Sequence, residues 1–549
     1  MKCYDNVTCS VGRRLRRIII RRDPPTSSTN AACRANPVSR DADETEIRLA
    51  TTADAAAMLW KSAALAALAL LPLRTHKLLS IYWDTPDFRL RKDGLALRSR
   101  RIGGGGWVQT LKTPARRVDT RHEFEAALPG MQPDLELARR SGWRDEAGVS
   151  AIQRELRPIF RTRIVRASRD VRFDDGTMAE LALDRGDITV EARPRSARHP
   201  VLEVEIELSS GSTCRIYELA YRLVAELPST RLLFASKSER GYQMLTGTRL
   251  PARRARDIDV PRKATARVVG YRALAESLAH VQGNVERARI VDDREGVHQM
   301  RVGVRRLRVA AVIGRKAGLP SISDRLVEEL RWLWSVLGDT RDADVVESES
   351  WPQVKRELGG AATTMAGFDA SLKKLRDSAH RNLHRTLDGR RFQRIMLSLA
   401  WIAALRGAGP GAHASPPSAT RPAARMLSRR AKRIVSVDID GLPASRRHRV
   451  RIDAKKLRYL AEFAAALYPA HDARRYLRRL AAVQTVLGTL NDLTAMERTI
   501  RLASTKLVAR ERNIIARMCR NYAGIRKPAL ETELAAAWRK FANTAPFWE

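Results

Sequence analysis

The chain has 549 residues, 44% of them apolar, with 101 Lys and Arg against 61 Asp and Glu and a formal net charge of +40. Such length and apolar content call for two or more folded domains, and the surplus of positive charge points to a polyanionic partner: nucleic acid, polyphosphate or an anionic surface. Cys3, Cys9, Cys33, Cys214 and Cys519 form no CxxC pair, so neither a zinc site nor a disulfide framework is indicated, which fits a reducing cytoplasm.

Residues 1–40 read as a disordered basic leader, because Pro24-Pro25 and Thr26-Ser-Ser-Thr-Asn30 argue against packing. From about 42 to 247 the pattern is mixed. Alternation of polar and apolar residues predicts strands at Glu44–Leu49, Leu79–Trp83, Leu95–Arg101, Val108–Lys112, His122–Ala127, Arg161–Val165, Met178–Leu183, Ile188–Ala192 and Val201–Leu208. A helix is expected over Asp54–Leu71. Its apolar run, Ser62–Leu71, is half a membrane span and reads as a buried helix, so no membrane partner is expected. The strand spacing suggests an antiparallel sheet closed or nearly closed into a barrel. Gly103–Gly106 reads as a hairpin turn and not a phosphate loop, since Leu111 stands before Lys112 where such a loop needs glycine. Residues 248–263, with Arg253-Arg254 and Pro261, read as a linker. From 264 to 545 helical periodicity takes over, in halves of about 264–406 and 423–545 separated by the Gly/Pro/Ala/Ser stretch Gly407–Pro422. The expected fold is therefore α+β followed by an all-α duplicated bundle.

On a strand, residues i, i+2 and i+4 share a face. Glu44, Glu46 and Arg48 are co-facial. So are Arg98 with Arg100, Thr110 with Lys112, Arg121 with Glu123 and Glu125, Glu180 with Asp184, and Glu203 with Glu205 and Glu207. Ile47, Leu49, Leu95, Leu97, Leu111, Phe124, Val204 and Ile206 fall on the opposite faces. One face is thus charged with both signs and the other apolar. A single such stripe is an ordinary solvated face. Three glutamates in a row on one strand repel one another unless cations sit among them. Clustered carboxylates with Arg and Lys suit a divalent ion held together with a polyphosphate.

These residues resemble a known family. Glu44-Thr-Glu-Ile-Arg-Leu49, Tyr82-Trp-Asp-Thr-Pro-Asp-Phe-Arg-Leu90, Leu95-Ala-Leu-Arg-Ser-Arg100, Gln109-Thr-Leu-Lys112, Arg121-His-Glu-Phe-Glu125, Leu183-Asp-Arg-Gly186, Glu203-Val-Glu-Ile-Glu207 and Ser236-Lys237 are similar, in order, to the CYTH domain of the triphosphate tunnel metalloenzyme superfamily. The resemblance implies an eight-stranded antiparallel tunnel that hydrolyses inorganic triphosphate with Mg2+ or Mn2+. Glu44, Glu46, Glu203 and Glu205 would hold the metal, with Glu44 or Glu46 orienting the attacking water. Arg48, Arg98, Arg100, Lys112, Arg121, Arg163 and Lys237 would hold the substrate. The family's opening motif ends in Lys, and Arg48 replaces that point donor with a planar fork.

The second half carries an internal duplication. Val297-His-Gln-Met-Arg-Val-Gly-Val-Arg-Arg-Leu-Arg308 repeats as Arg447-His-Arg-Val-Arg-Ile-Asp-Ala-Lys-Lys-Leu-Arg458, at a fixed offset of 150 residues, and Leu337-Gly338 and Asp342 repeat as Leu487-Gly488 and Asp492. On a helix His298, Arg301, Arg305 and Arg308 fall within an arc of roughly 80°, as do His448, Arg451, Lys455 and Arg458. Each stripe lies beside an apolar seam. The two segments resemble the CHAD domain, a duplicated helical module with a histidine in each half. That resemblance implies polyphosphate binding by these eight residues and association with polyphosphate granules. The alternatives are a chain that binds polyphosphate without hydrolysis, or a nucleic-acid-binding protein. The second is disfavoured because aromatic residues for base stacking are only 5% of the chain.

Overall fold

The computed structural model describes residues 40–549 except 67, 114–119, 141–142, 144–145, 192–195, 320–321, 359–364 and 406–417. The expected leader, up to Ser39, and most of the stretch 407–422 lie outside the described residues.

The first half is one antiparallel sheet: β1 (Arg40–Ala50), β2 (Ala69–Leu70), β3 (Arg74–Asp84), β4 (Ala96–Ile102), β5 (Trp107–Thr113), β6 (Thr120–Leu128), β7 (Arg157–Arg172), β8 (Met178–Val190), β9 (Ala197–Ser210) and β10 (Arg231–Leu232). Its order runs β10-β1-β6-β5-β4-β3-β7-β8-β9, and β1 also pairs with β9. The first part of β1, Arg40–Thr45, pairs with β6, and the second part, Glu46–Ala50, pairs with β9. The sheet therefore wraps round to its own first strand, and its concave face lines a tunnel. The two segments expected at 178–192 are one strand, β8. Gly103 takes a φ of 57° in the β4–β5 turn, a left-handed conformation that favours glycine.

The expected helix over Asp54–Leu71 is broken into Ala53–Met58, a 3-10 turn at Leu59–Lys61, Ala63–Ala66 and β2. The cause is distant in sequence. The Glu226 carboxylate accepts hydrogen bonds from the Ala63 and Ala64 amides at 2.6 and 2.9 Å, so a new helix begins there.

The charged residues line the tunnel, an apolar core covers its outer face, and a second apolar cluster with Tyr82 and Phe160 shares the inner face with Arg98. Ile47, Leu49, Leu181, Leu183, Val204 and Ile206 are buried together with Ile216, Ala220 and Leu223 of helix α1 (Thr213–Glu226). Tyr82 and Phe160 stack at 4.5 Å, and Phe160 meets Tyr242 of α2 (Lys237–Thr246) edge-on at 5.4 Å. Gly241 lets α2 come this close, since a Cβ there would lie 2.3 Å from the Phe160 ring. Asp84, inside the Tyr82–Leu90 motif, is structural: it accepts from the Leu90 and Arg91 amides at 2.9 and 3.1 Å and from the Tyr242 hydroxyl at 2.6 Å.

The second half is helical, as its periodicity predicts. Its main helices are α3 (Ala266–Gln282), α4 (Arg294–Lys316), α5 (Asp324–Val345), α6 (Ala366–Asp388), α7 (Arg390–Ala404), α8 (Thr420–Val435), α9 (Ala444–Ala464), α10 (Ala470–Ala503) and α11 (Ala509–Ala542). Side-chain caps fix several starts: Thr265 for α3, Asp293 for α4 and Ser323 for α5. The two copies of the repeat are α4 with α5 and α9 with α10. Phe392, Met396 and Leu399 of α7 belong to the same buried cluster as α1, so the two halves share one core. Residues 248–263 form no helix or strand named above, yet they are fastened down: Arg287 donates to the Leu250 carbonyl at 2.6 Å, Asn284 to the Arg253 carbonyl at 2.8 Å, and Ile258 and Val260 are buried.

Candidate functional site

Strand β1 places Glu44, Glu46 and Arg48 on the tunnel face. Its register sets Glu46 opposite Glu207 and Arg48 opposite Glu205 on β9, and Glu44 opposite Arg121 on β6. Side chains directly opposite in an antiparallel pair stand about 4.5–5.5 Å apart at Cβ. Lys112 donates to Glu44 at 2.6 Å and lies 3.3 Å from Glu123, which Arg98 reaches at 3.4 Å. Arg48 is 3.7 Å from Glu46, and its buried Nε has no partner.

These cations do not satisfy all the carboxylates. Burial, then the charge of Glu205, pushes Glu46 up to about 7. Burial, then Glu44 and Glu46, pushes Glu207 up to about 8. Among the described residues Glu207 has no ion pair.

The neighbouring carboxylates are in the opposite condition. The Lys237 ammonium, carried in by α2, lies 2.7 Å from Asp184 and 2.6 Å from Glu205 and also pairs with Glu203. Arg166 grips Asp184 with two hydrogen bonds of 2.7 Å and also binds Glu205. Arg240 pairs with Glu203. Burial favours protonation of Glu205, but Lys237 and Arg166 outweigh it and hold Glu205 well below the usual carboxylate range.

Two acidic groups thus compete as a metal site. Asp184, Glu203 and Glu205 offer oxygens within 4.8 Å of one another, close enough for one ion to touch all three. Lys237 already supplies positive charge there. Glu46 and Glu207, both raised by burial and by neighbouring carboxylates, form with Glu44 a second acidic group, and hard divalent ions take carboxylate oxygens. Of the four expected metal ligands, Glu44 and Glu46 fit this group. Glu203 and Glu205 belong with Asp184 to the first group, where Lys237, Arg166 and Arg240 pair with them.

Among the described residues Arg100 is a tunnel cation without a carboxylate. Its Nε donates to Ser80 Oγ at 3.0 Å, and no carboxylate among the described residues pairs with it. Burial, then the charges of Arg98 and Arg166, lowers it to about 10. Arg163, expected to hold substrate, is exposed on the other face of β7, and Arg166 points into the tunnel in its stead. The side chain of Arg121 lies outside the described residues. Lys237 is at the tunnel, but its ammonium is engaged by carboxylates.

In the helical half the two basic stripes face each other. Arg301 and Arg305 of α4 meet Arg451 and Lys455 of α9, with Asp342 and Asp492 beside them. Arg301 pairs with Asp342 at 3.1 Å, and Arg305 reaches the Tyr459 hydroxyl of the second copy at 3.3 Å. Burial, then Arg305, Arg451 and Arg301, lowers Lys455 to about 6. Burial lowers Arg451 to about 10 despite Asp492. The remaining stripe residues differ between copies. Arg308 lies over the Trp334 ring at 5.4 Å, while Arg458 pairs with Glu462 at 2.8 Å. His298 is lowered by burial and by Arg341, and His448 is exposed and bonded to Asn491 at 3.0 Å. The cluster therefore keeps four of the eight expected residues at its centre.

The model for the CYTH domain matches residues 42–242, and that for the CHAD domain matches residues 272–501. Uncharacterized proteins from two strains of Mycobacterium tuberculosis are 27% identical over 448 residues, covering 76% of this chain and 80% of theirs. The crystal structure of the CHAD domain from the plant Ricinus communis is 26% identical with a TM-score of 0.45, covering 53% of this chain and 96% of that one. A Hippeastrum protein of adenylyl-cyclase type, described as having a dominant triphosphatase activity, is 21% identical with a TM-score of 0.26, covering 39% of this chain and 98% of its own. Among the described residues no helix is long and apolar enough to cross a membrane. The ordered tunnel motifs, the duplicated basic helices and both matching models lead to one assignment: this chain belongs to the proteins that join a CYTH domain to a CHAD domain in tandem.

Proposed function

We propose that the tunnel hydrolyses inorganic triphosphate with Mg2+ or Mn2+, and that the helical half binds polyphosphate through Arg301, Arg305, Arg451 and Lys455. The observation that carries the first part is Arg100, a guanidinium with no carboxylate partner among the described residues, in a tunnel that also holds carboxylates raised by burial and by neighbouring carboxylates. Such a tunnel is prepared for an anion and a metal together. Glu44, Glu46, Glu205 and Glu207 would hold the divalent ion, which supplies charge neutralisation for the phosphoryl oxygens. Arg100, with Arg98 and Lys112 beside it, binds the phosphate oxygens and orients the chain for in-line attack. Glu44 or Glu46 would orient the attacking water and accept its proton.

Phosphate release from triphosphate, pyrophosphate, ATP and long polyphosphate, with each metal in turn, tests this reading on the full chain. Triphosphate is expected to be preferred, and Glu46→Gln to lower its turnover about 10²–10⁴-fold. Release no greater than that of a Glu44→Gln/Glu46→Gln double variant sinks the proposal.

The helical cluster makes a separate prediction. With Lys455 lowered to about 6, its amine is neutral at pH 8 and takes up a proton when a polyanion binds. Affinity for long polyphosphate is expected to strengthen from pH 8 to pH 6, by at most about tenfold per pH unit for one proton. Lys455→Met removes the dependence. Titration calorimetry in two buffers of different ionisation enthalpy counts the proton, and equal heats in both refute it.

A further inference from the structure

Strand β10 is two residues long and lies at the edge of the sheet, where unpaired amides would be exposed or orphaned. Its amides point alternately to the two sides. The Leu233 N–H turns inward and donates to the Arg48 carbonyl at 2.9 Å. The Leu232 and Phe234 N–H groups turn outward, and both find side chains of the helical half. Leu232 donates to Gln393 Oε1 at 2.9 Å, and Phe234 donates to Glu286 Oε1 at 3.4 Å. Gln393 is fully buried and is itself held, since its Nε2 donates to the Leu387 carbonyl at 2.6 Å. Arg231 adds an ion pair with Asp388 at 3.4 Å.

Little slack separates this grip from the tunnel. After Phe234 come Ala235 and Ser236, and Ser236 is locked into a capping box with Glu239. The next residue is Lys237, whose ammonium is shared by Asp184, Glu203 and Glu205.

We propose that Gln393 and Glu286 are positioning residues of the tunnel: the helical half completes the sheet edge at β10 and thereby sets where Lys237 stands. The inference goes beyond the proposed reaction and does not require hydrolysis to occur.

Hydrogen exchange read by mass spectrometry on the full chain tests it, with tripolyphosphate as the binding probe. Gln393→Leu is expected to speed exchange of the 231–240 segment at least tenfold, leave α9 and α10 protected, and weaken tripolyphosphate at least tenfold. Glu286→Gln keeps an acceptor for the Phe234 amide and is expected to retain slow exchange where Glu286→Ala does not, which separates the lost hydrogen bond from lost packing. Should Gln393→Leu unfold the chain, Glu286→Ala decides, because it removes the Phe234 acceptor, along with the 3.5 Å pair to Arg289, and leaves Gln393 in place. Wild-type exchange at 231–240 in the folded variant overturns the proposal. A wild-type chain that binds tripolyphosphate without cleaving it overturns the catalytic reading and leaves this one standing. If the wild type binds none, the exchange rates of the variants alone support or overturn the proposal.

Discussion

Lys237→Met is expected to cost about 3–5 kcal/mol of stability, the usual penalty for removing one partner of a buried charge network. The ammonium lies within reach of three carboxylates, and Asp184 and Glu203 are almost completely buried. Methionine fills the volume, so the loss is electrostatic. Burial disfavours the charged amine, but Glu205, Asp184 and Glu203 more than offset it and raise the folded-state pKa of Lys237 above its ordinary value. This contribution is therefore complete below the ordinary lysine pKa and is lost only as the pH rises through the higher folded value. Denaturant unfolding at pH 7 measures the effect, and a difference below about 1 kcal/mol contradicts it. The variant also leaves Asp184, Glu203 and Glu205, with oxygens within 4.8 Å of one another, to Arg166 and Arg240 alone. Millimolar Mn2+ is expected to recover stability in Lys237→Met and not to act through this group in the wild type.

A chain ending after Gly247 is expected to lose cooperative unfolding and to self-associate. Helix α1 covers the apolar outer face of the tunnel with one side and meets α7 with the other, and their buried residues form one cluster. Cutting there exposes that face, frees β10 from Gln393 and removes Glu286. An exposed apolar patch and an uncovered sheet edge both favour association. Size-exclusion chromatography with a thermal melt reads the outcome. A monomer with a sharp transition would show that the first half is self-sufficient.

The strands were legible because alternation is a local signal, and the helical repeat because Arg301, Arg305, Arg451 and Lys455 recur at one spacing. Which face of a strand turns inward was less legible. On β7 arginines stand at 157, 161, 163, 166, 169 and 172, in both parities, so alternation could not choose between Arg163 and Arg166. The choice is made by cross-strand partners: Arg166 stands opposite Asp184. Likewise Glu203, Glu205 and Glu207 share one face, and nothing local tells which of them a cation already holds. Lys237 and Arg240 decide it, arriving from a helix that begins beyond α1 and β10. The break at Lys61–Ser62 was hidden for the same reason, since its cause is Glu226.

The divided pairing of β1 bears on how the chain comes to be made. This strand carries Glu44, Glu46 and Arg48 and leaves the ribosome before any of its partners. Its second part pairs with residues 203–207 and with Arg231 and Leu232. At about 5–20 residues per second, those partners follow on the order of ten seconds or more later. Until then Glu46 and Arg48 alternate with Ile47 and Leu49 on an unpaired stretch of strand. The charges that line the tunnel therefore also keep the nascent strand soluble and poor at pairing with other chains until its own partners are made.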